Sequence, residues 1–219
     1  MKKTWLVLCL MVSSFVLASC SADGEPFEEK SYTPDAQIKS IILDVRDREV
    51  EVTASEDERI HIRYFQNSKE YYRFSVSQEN VLFMESVIDK AWTDYIGGKA
   101  ATGKRKICLQ IPSGLLDSLA LSTTNEDISL SPLAVTGDIT LLSNGGNINF
   151  EGLRVGSALS LTVKNGNIAG TVIGSYDDFA IRCDVKKGKS NLPLQKDGGN
   201  KTLTVSGNNG DVQVELVKE

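Results

Sequence analysis

From residue 119 onward the chain repeats itself at a fixed interval, and this constrains its fold more than any other feature. Leu119, Ile139, Leu159 and Phe179 each follow the last by 20 residues. From the first three run LALSTTNEDISL, ITLLSNGGNINF and LSLTVKNGNIAG, and another copy, LTVSGNNGDVQV, begins at Leu203. Each unit is a strand of alternating apolar residues, a polar turn, and a second short strand announced by Asp127, Asn147, Asn167 or Asp211. Gly145-Gly146, Gly166 and Gly210 stand in the turns, where glycine supplies positive φ cheaply. The Phe179 unit departs from the pattern: its turn reads VKKGKSN, and the next unit begins 24 residues later.

Repeats of this size are the mark of a solenoid, whose units bury their apolar faces only by stacking on their neighbours. The expected fold is all-β: a right-handed β-solenoid or β-roll with coils of ~20 residues. Leu119, Ile139, Leu159 and Phe179 should form one interior ladder, and Ile128, Ile148, Ile168 and Val212 another. The residues Asp127, Asn147, Asn167 and Asp211 should stack at one corner and bond backbone amides of the turn. A sandwich of hairpins is the alternative, since Asn-Gly turns also close hairpins; the even spacing favours stacking. Upstream, Ile41-Leu43-Val45, Val50-Val52, Ile60-Ile62-Tyr64, Tyr72-Phe74-Val76 and Ile107-Leu109-Ile111 alternate with period two and read as strands. They repeat less regularly, as wider first coils or as a cap over the end of the stack. Residues 84–101 hold the best short helix candidate, but their glycines favour an irregular excursion.

The N-terminus carries a different signal. Lys2 and Lys3 precede an uncharged apolar stretch over residues 5–18, too short to span a bilayer comfortably and of the size of a secretory signal. It ends in Leu17-Ala18-Ser19-Cys20, which resembles the lipobox of bacterial lipoproteins. That resemblance implies cleavage before Cys20 and a diacylglyceryl group on its sulfur. Two acyl chains hold a protein on a membrane stably where one does not. The reading divides the chain into a signal over residues 1–19, a lipidated cysteine and flexible stalk over residues 20–37, and a β domain over residues 38–219. The alternative is an ordinary cleaved signal. Without residues 1–19 the chain carries 22 basic and 29 acidic residues, a net charge of −7, which argues against a nucleic-acid partner.

The runs IILDVRDREVEV and IPSGLLDSLALSTTNEDISL and the serial SNGGNI, KNGNI and NNGDV units resemble the bacterial "putative adhesin" domain-of-unknown-function family, over roughly residues 40–217. The resemblance implies a β-roll or β-helix on the extracytoplasmic side of a membrane. It brings no catalytic residues.

Chemistry is sparse. His61, the only histidine, lies in RIHIR and reads as a solvated strand residue; a Ser-His-Asp triad would have to be built on it. The carboxylates of the repeats sit at turns, without the pairing a glycosidase needs. The Gly-Asx turns lack the nine-residue calcium repeat, so no metal and no cofactor is expected. Cys9 falls in the signal. Cys183 alternates with Phe179 and Ile181 and should point inward, and Cys108 should point outward, which disfavours a disulfide. One surface segment has the composition of a ligand contact: Trp92, Tyr95, Lys99, Lys104, Arg105 and Lys106, suited to a sugar ring or an anionic cell-wall polymer. A capping loop is the alternative for it. The expected function is therefore a membrane-anchored, non-enzymatic interaction module whose partner is a cell-surface protein or glycan. A polysaccharide-acting enzyme and an envelope-stress signalling component are the alternatives. Oligomeric state and membrane leaflet are not readable from the sequence.

Overall fold

The computed structural model describes residues 25–90 and 102–218. The described chain is all-β, with short 3-10 turns at Thr102–Lys104 and Tyr176–Asp178 as its only helical elements. Among the described residues, eighteen strands form two nine-stranded sheets. Sheet I runs β1 (Glu28–Tyr32), β4 (His61–Gln66), β7 (Lys106–Ile111), β3 (Glu49–Ala54), β9 (Ile128–Leu130), β12 (Ile148–Val155), β14 (Ile168–Ile173) and β18 (Val212–Val217), with β10 (Leu133–Val135) also on β12. Sheet II runs β16 (Gln195–Lys196), β15 (Phe179–Lys187), β17 (Lys201–Asn209), β13 (Ala158–Asn165), β11 (Asp138–Ser143), β8 (Ser118–Thr123), β2 (Ser40–Asp44), β6 (Val81–Ile88) and β5 (Glu70–Val76). Their inner faces share one apolar core.

The chain crosses repeatedly from sheet II to sheet I, and the rungs β2–β3, β8–β9, β11–β12, β13–β14 and β17–β18 lie parallel to one another. Period-two alternation places one face of every strand inside, and parallel register sets like on like. Ile41, Leu119, Ile139, Leu159 and Leu203 meet across sheet II. Val50, Ile128, Ile148, Ile168 and Val212 meet across sheet I. All ten are buried.

The first ladder corrects the sequence expectation at one rung. Phe179 is buried but pairs with Lys201, and it is Leu203 that lies against Leu159. The unit starting at Leu203 has both strands, β17 and β18, and these stack on β13 and β14. The Phe179 unit has no second strand in sheet I; beyond its turn it meets β18 through one β-bridge, Ser190 to Val212, and through Asn191, whose side chain bonds the Val214 backbone. The complete unit takes the interior position, and the incomplete one flanks it.

The upstream strands combine both expectations. β2 and β3 form a rung in register with the repeats. Antiparallel pairs, β1 with β4, β4 with β7 and β5 with β6, extend the sheets beyond it. Residues 28–32, assigned above to a flexible stalk, are strand β1. Tyr32 explains this: its ring stacks on Phe74 at 4.2 Å, and Tyr64 meets both Phe74 and Tyr72, closing the core at this end.

The turn glycines have two reasons: Gly166 and Gly210 take the expected positive φ, and close approach adds a second. Gly146 has no positive φ. A Cβ there would lie 2.1 Å from the Glu126 carbonyl oxygen, and one on Gly166 would lie 2.2 Å from the Gly146 oxygen. Close approach of successive turns demands glycine.

Two charged residues are buried together at the N-terminal end. Arg48 donates to Glu70 Oε2 at 2.6 Å and to the Tyr72 hydroxyl at 2.7 Å, and its other N–H groups reach the carbonyls of Arg46 and Asp47. Lys90 pairs with the other Glu70 oxygen. Burial alone would raise the Glu70 pKa, but Lys90 and Arg48 outweigh it and hold the carboxyl below its ordinary 4.5.

Two predictions follow from this packing. Gly146→Ala should destabilise the protein by about 1–3 kcal/mol, whereas Gly103→Ala, with open space around it, should be nearly neutral; equal urea midpoints would refute the close-approach account. Glu70→Gln leaves a buried guanidinium without its anion and should cost about 3–5 kcal/mol at neutral pH. Because the folded pKa is depressed, this stabilisation is complete above pH 4.5 and is lost as pH falls through the folded value. Chemical denaturation across pH should show the gap between wild type and variant narrowing in acid; a widening gap would contradict the assignment.

Candidate functional site

The corner where sheet II turns into sheet I carries the four repeated Asx residues. Asp127 Oδ1 accepts from the Asn147 N–H at 2.7 Å, Asn147 Oδ1 from the Asn167 N–H at 2.9 Å, and Asn167 Oδ1 from the Asp211 N–H at 2.8 Å. Asp211 Oδ1 in turn accepts from the Lys189 N–H at 2.8 Å. Each side chain therefore bonds the amide of the next turn rather than its own, and the row works as a fastener between rungs. Among the described residues no three His, Cys, Asp or Glu side chains gather as a metal site.

Of the segment singled out for ligand contact, Trp92, Tyr95 and Lys99 lie outside the described residues, as do Leu17, Ala18, Ser19 and Cys20. Its described cations face the body. The Lys104 ammonium sits 4.4 Å from the Phe65 ring centre. Arg105 pairs with Glu126. Lys106 lies 3.0 Å from Glu51 and 3.3 Å from Glu49, and these carboxylates hold its ammonium above its ordinary pKa. These three cations tie the end of the excursion to sheet I and to the neighbouring turn.

His61 has partners that its place in RIHIR did not reveal. Its Nε2 lies 2.9 Å from Asp57 Oδ1, and its Nδ1 lies 3.0 Å from the Thr33 hydroxyl. In the neutral ring Nε2–H donates to the carboxylate, leaving Nδ1 to accept from the Thr33 hydroxyl. Asp57 is held down to about 2, first by His61, then by the Arg59 N–H and the Ser55 hydroxyl. A hydroxyl, a base and an orienting carboxylate within bonding reach are the parts of an activated nucleophile. Yet the residue after Thr33 is Pro34, which has no N–H to offer an oxyanion. The trio joins the end of β1 to the turn before β4. The spacing from Asp57 to His61 was the visible half of this signal; Thr33 is 28 positions away and was not.

An open cleft of roughly 610 Å³ adjoins this trio, lined in part by Asp35, Glu58, Arg59 and Pro112. A glycosidase makes its acid by withdrawing a carboxyl from water, but Asp35 and Glu58 are both exposed. Cys183 is buried, Cys108 is half-buried, and both are free.

Several comparisons bear on this architecture. Residues 38–219 match the family model described as Toastrack DUF4097. No curated protein matches the sequence significantly. Among solved structures, a "putative cell adhesion protein" from Clostridium sporogenes ATCC 15579 is similar with a TM-score of 0.58 at 10% identity, over 88% of this chain and 100% of its own. A "putative adhesin" from Bacteroides fragilis NCTC 9343 gives 0.35 at 14% identity, over 89% and 98%. One from Parabacteroides distasonis ATCC 8503 gives 0.33 at 11%, over 89% and 94%. The match over residues 38–219 covers most of the sequence, and the chain belongs to the Toastrack DUF4097 family.

Proposed function

We propose that this protein is a non-enzymatic interaction module held on the outer side of a bacterial membrane by acyl chains on Cys20. The observation that carries the reading is the use made of the repeat. Its repeated groups are engaged between rungs: aliphatic side chains in the core, Asx oxygens and turn amides at the corner. What the stack offers outward is two broad sheet faces. In this reading the rungs are coils of about 20 residues in a right-handed β-solenoid, supported by parallel pairing of residues 20 apart, such as Leu119 with Ile139 and Ile139 with Leu159. The likeness to the clostridial structure supports the fold, and the adhesion in that protein's name supports a surface role here.

The lipobox-like sequence supports the anchor, and the position of β1 bears on its reach. Eight positions separate Cys20 from Glu28, the first residue of β1, so the link reaches at most roughly 28 Å. The stalk is short, and the end of the stack bearing β1 and β5 is held toward the lipid. Among the described residues no helix is long and apolar enough to cross a membrane.

Cys20→Ala should move the protein from the membrane pellet to the soluble fraction on cell fractionation. Retention in the pellet would show that something other than acyl chains holds it.

A further inference from the structure

Resting on the reading as an interaction module, we propose that the outer face of sheet II binds a linear anionic polysaccharide near the turn end of β13, β17 and β15. Register brings the site together. Val163 and Val185 both pair with Gly207, and Asn165 and Lys187 both pair with Asn209. Lys164, Asn208 and Lys186 therefore lie level across three adjacent strands, each following an inward-facing residue: Val163, Gly207 and Val185. At ~4.8 Å between strands, the two lysine backbones stand ~10 Å apart. Two residues back on the same face, Thr162 and Ser206 are paired and present their hydroxyls beside the cations.

The chemistry of this patch differs from that of sheet I. There the outward cations are matched by acids, as Lys106 is by Glu49 and Glu51 and Arg63 by Glu29. Lys164 and Lys186 are exposed and have no ion-pair partner among the described residues. Lys186 belongs to the unit whose turn exchanged the Asn-Gly pattern for VKKGKSN. Two free ammonium groups spaced along a flat face recognise repeated carboxylates. The amide of Asn208 and the hydroxyls between them suit the sugar hydroxyls that join those carboxylates. Asp184, on the edge strand beside Ser206, confines the cationic patch to the turn end.

The test uses purified full-length protein and polygalacturonate as probe, with dextran as the uncharged sugar polymer and polyphosphate as the sugar-free anion. Polygalacturonate should bind, dextran should not, and polyphosphate should bind more weakly. Lys164→Glu with Lys186→Glu should weaken polygalacturonate binding roughly tenfold or more. Lys39→Glu with Lys218→Glu, an equal charge change at two exposed lysines elsewhere, should leave it within about twofold. Thermal melting confirms that both variants fold. The proposal is overturned by absence of polygalacturonate binding, by equal weakening in the two double variants, or by polyphosphate binding as tightly as polygalacturonate. Membrane retention does not depend on these lysines, so such a failure would leave the tethered-module reading standing.

Discussion

Parallel register between successive rungs is the constraint on which the rest of this structure depends. A parallel strand can lie beside its neighbour with every equivalent residue matched, and the repeat makes that matching productive at three levels at once. Aliphatic side chains meet in the core, Asx oxygens meet the next turn's amides, and turn backbones approach so closely that only glycine fits at Gly146 and Gly166. A slip of one residue would turn every inward side chain outward and break the Asx row in the same step. These terms reinforce one another and together hold the corner in register.

A stack of parallel strands must also end without leaving open edges that recruit other chains. The two ends solve this differently. At the N-terminal end antiparallel strands extend both sheets, and Tyr32, Tyr64, Tyr72 and Phe74 fill the mouth of the core. Arg48 and Glu70 lock the same region with a buried ion pair. At the far end β16 pairs only briefly with β15, at Ile181 and Arg182. The remainder of that strand carries Lys186 and Lys187, and lysine on an edge discourages further pairing. In the reading proposed here the first end faces the membrane and the second faces away from it, so Lys186 serves both the edge and the ligand surface.

How much of this was legible in the sequence depended on whether the signal was local and repeated. The second interior ladder and the Asx corner were visible because Ile128, Ile148, Ile168 and Val212 each follow an Asx residue in a common turn. The first ladder misled at Phe179, because spacing alone outvoted pattern: the NNGD turn and second strand of the Leu203 unit mattered more than an interval of 20. Strand β1 was hidden because EEKSY has no apolar alternation; it is placed by backbone pairing with β4 and by the Tyr32 ring. The buried pair was readable in principle. Arg48 heads the inward row that continues with Val50 and Val52, and Glu70 heads the row of Tyr72. A cation and an anion at inward positions of neighbouring rows point to each other. The contact of Thr33 with His61 bridges 28 positions between unlike segments, and no pattern in the sequence marks it.

The order β13, β17, β15 can be tested by crosslinking outward-facing cysteines placed in pairs. Ser160 and Thr204 are register partners on adjacent strands, within the Cα separation of ~4.4–6.8 Å that a disulfide requires. Ser160 and Ala180 would be neighbours only if the Phe179 unit stacked directly on the Leu159 unit. The account predicts rapid oxidative crosslinking of the Ser160→Cys/Thr204→Cys variant and none for Ser160→Cys/Ala180→Cys. The reverse outcome would contradict the order of the rungs, and with it the surface built on that order.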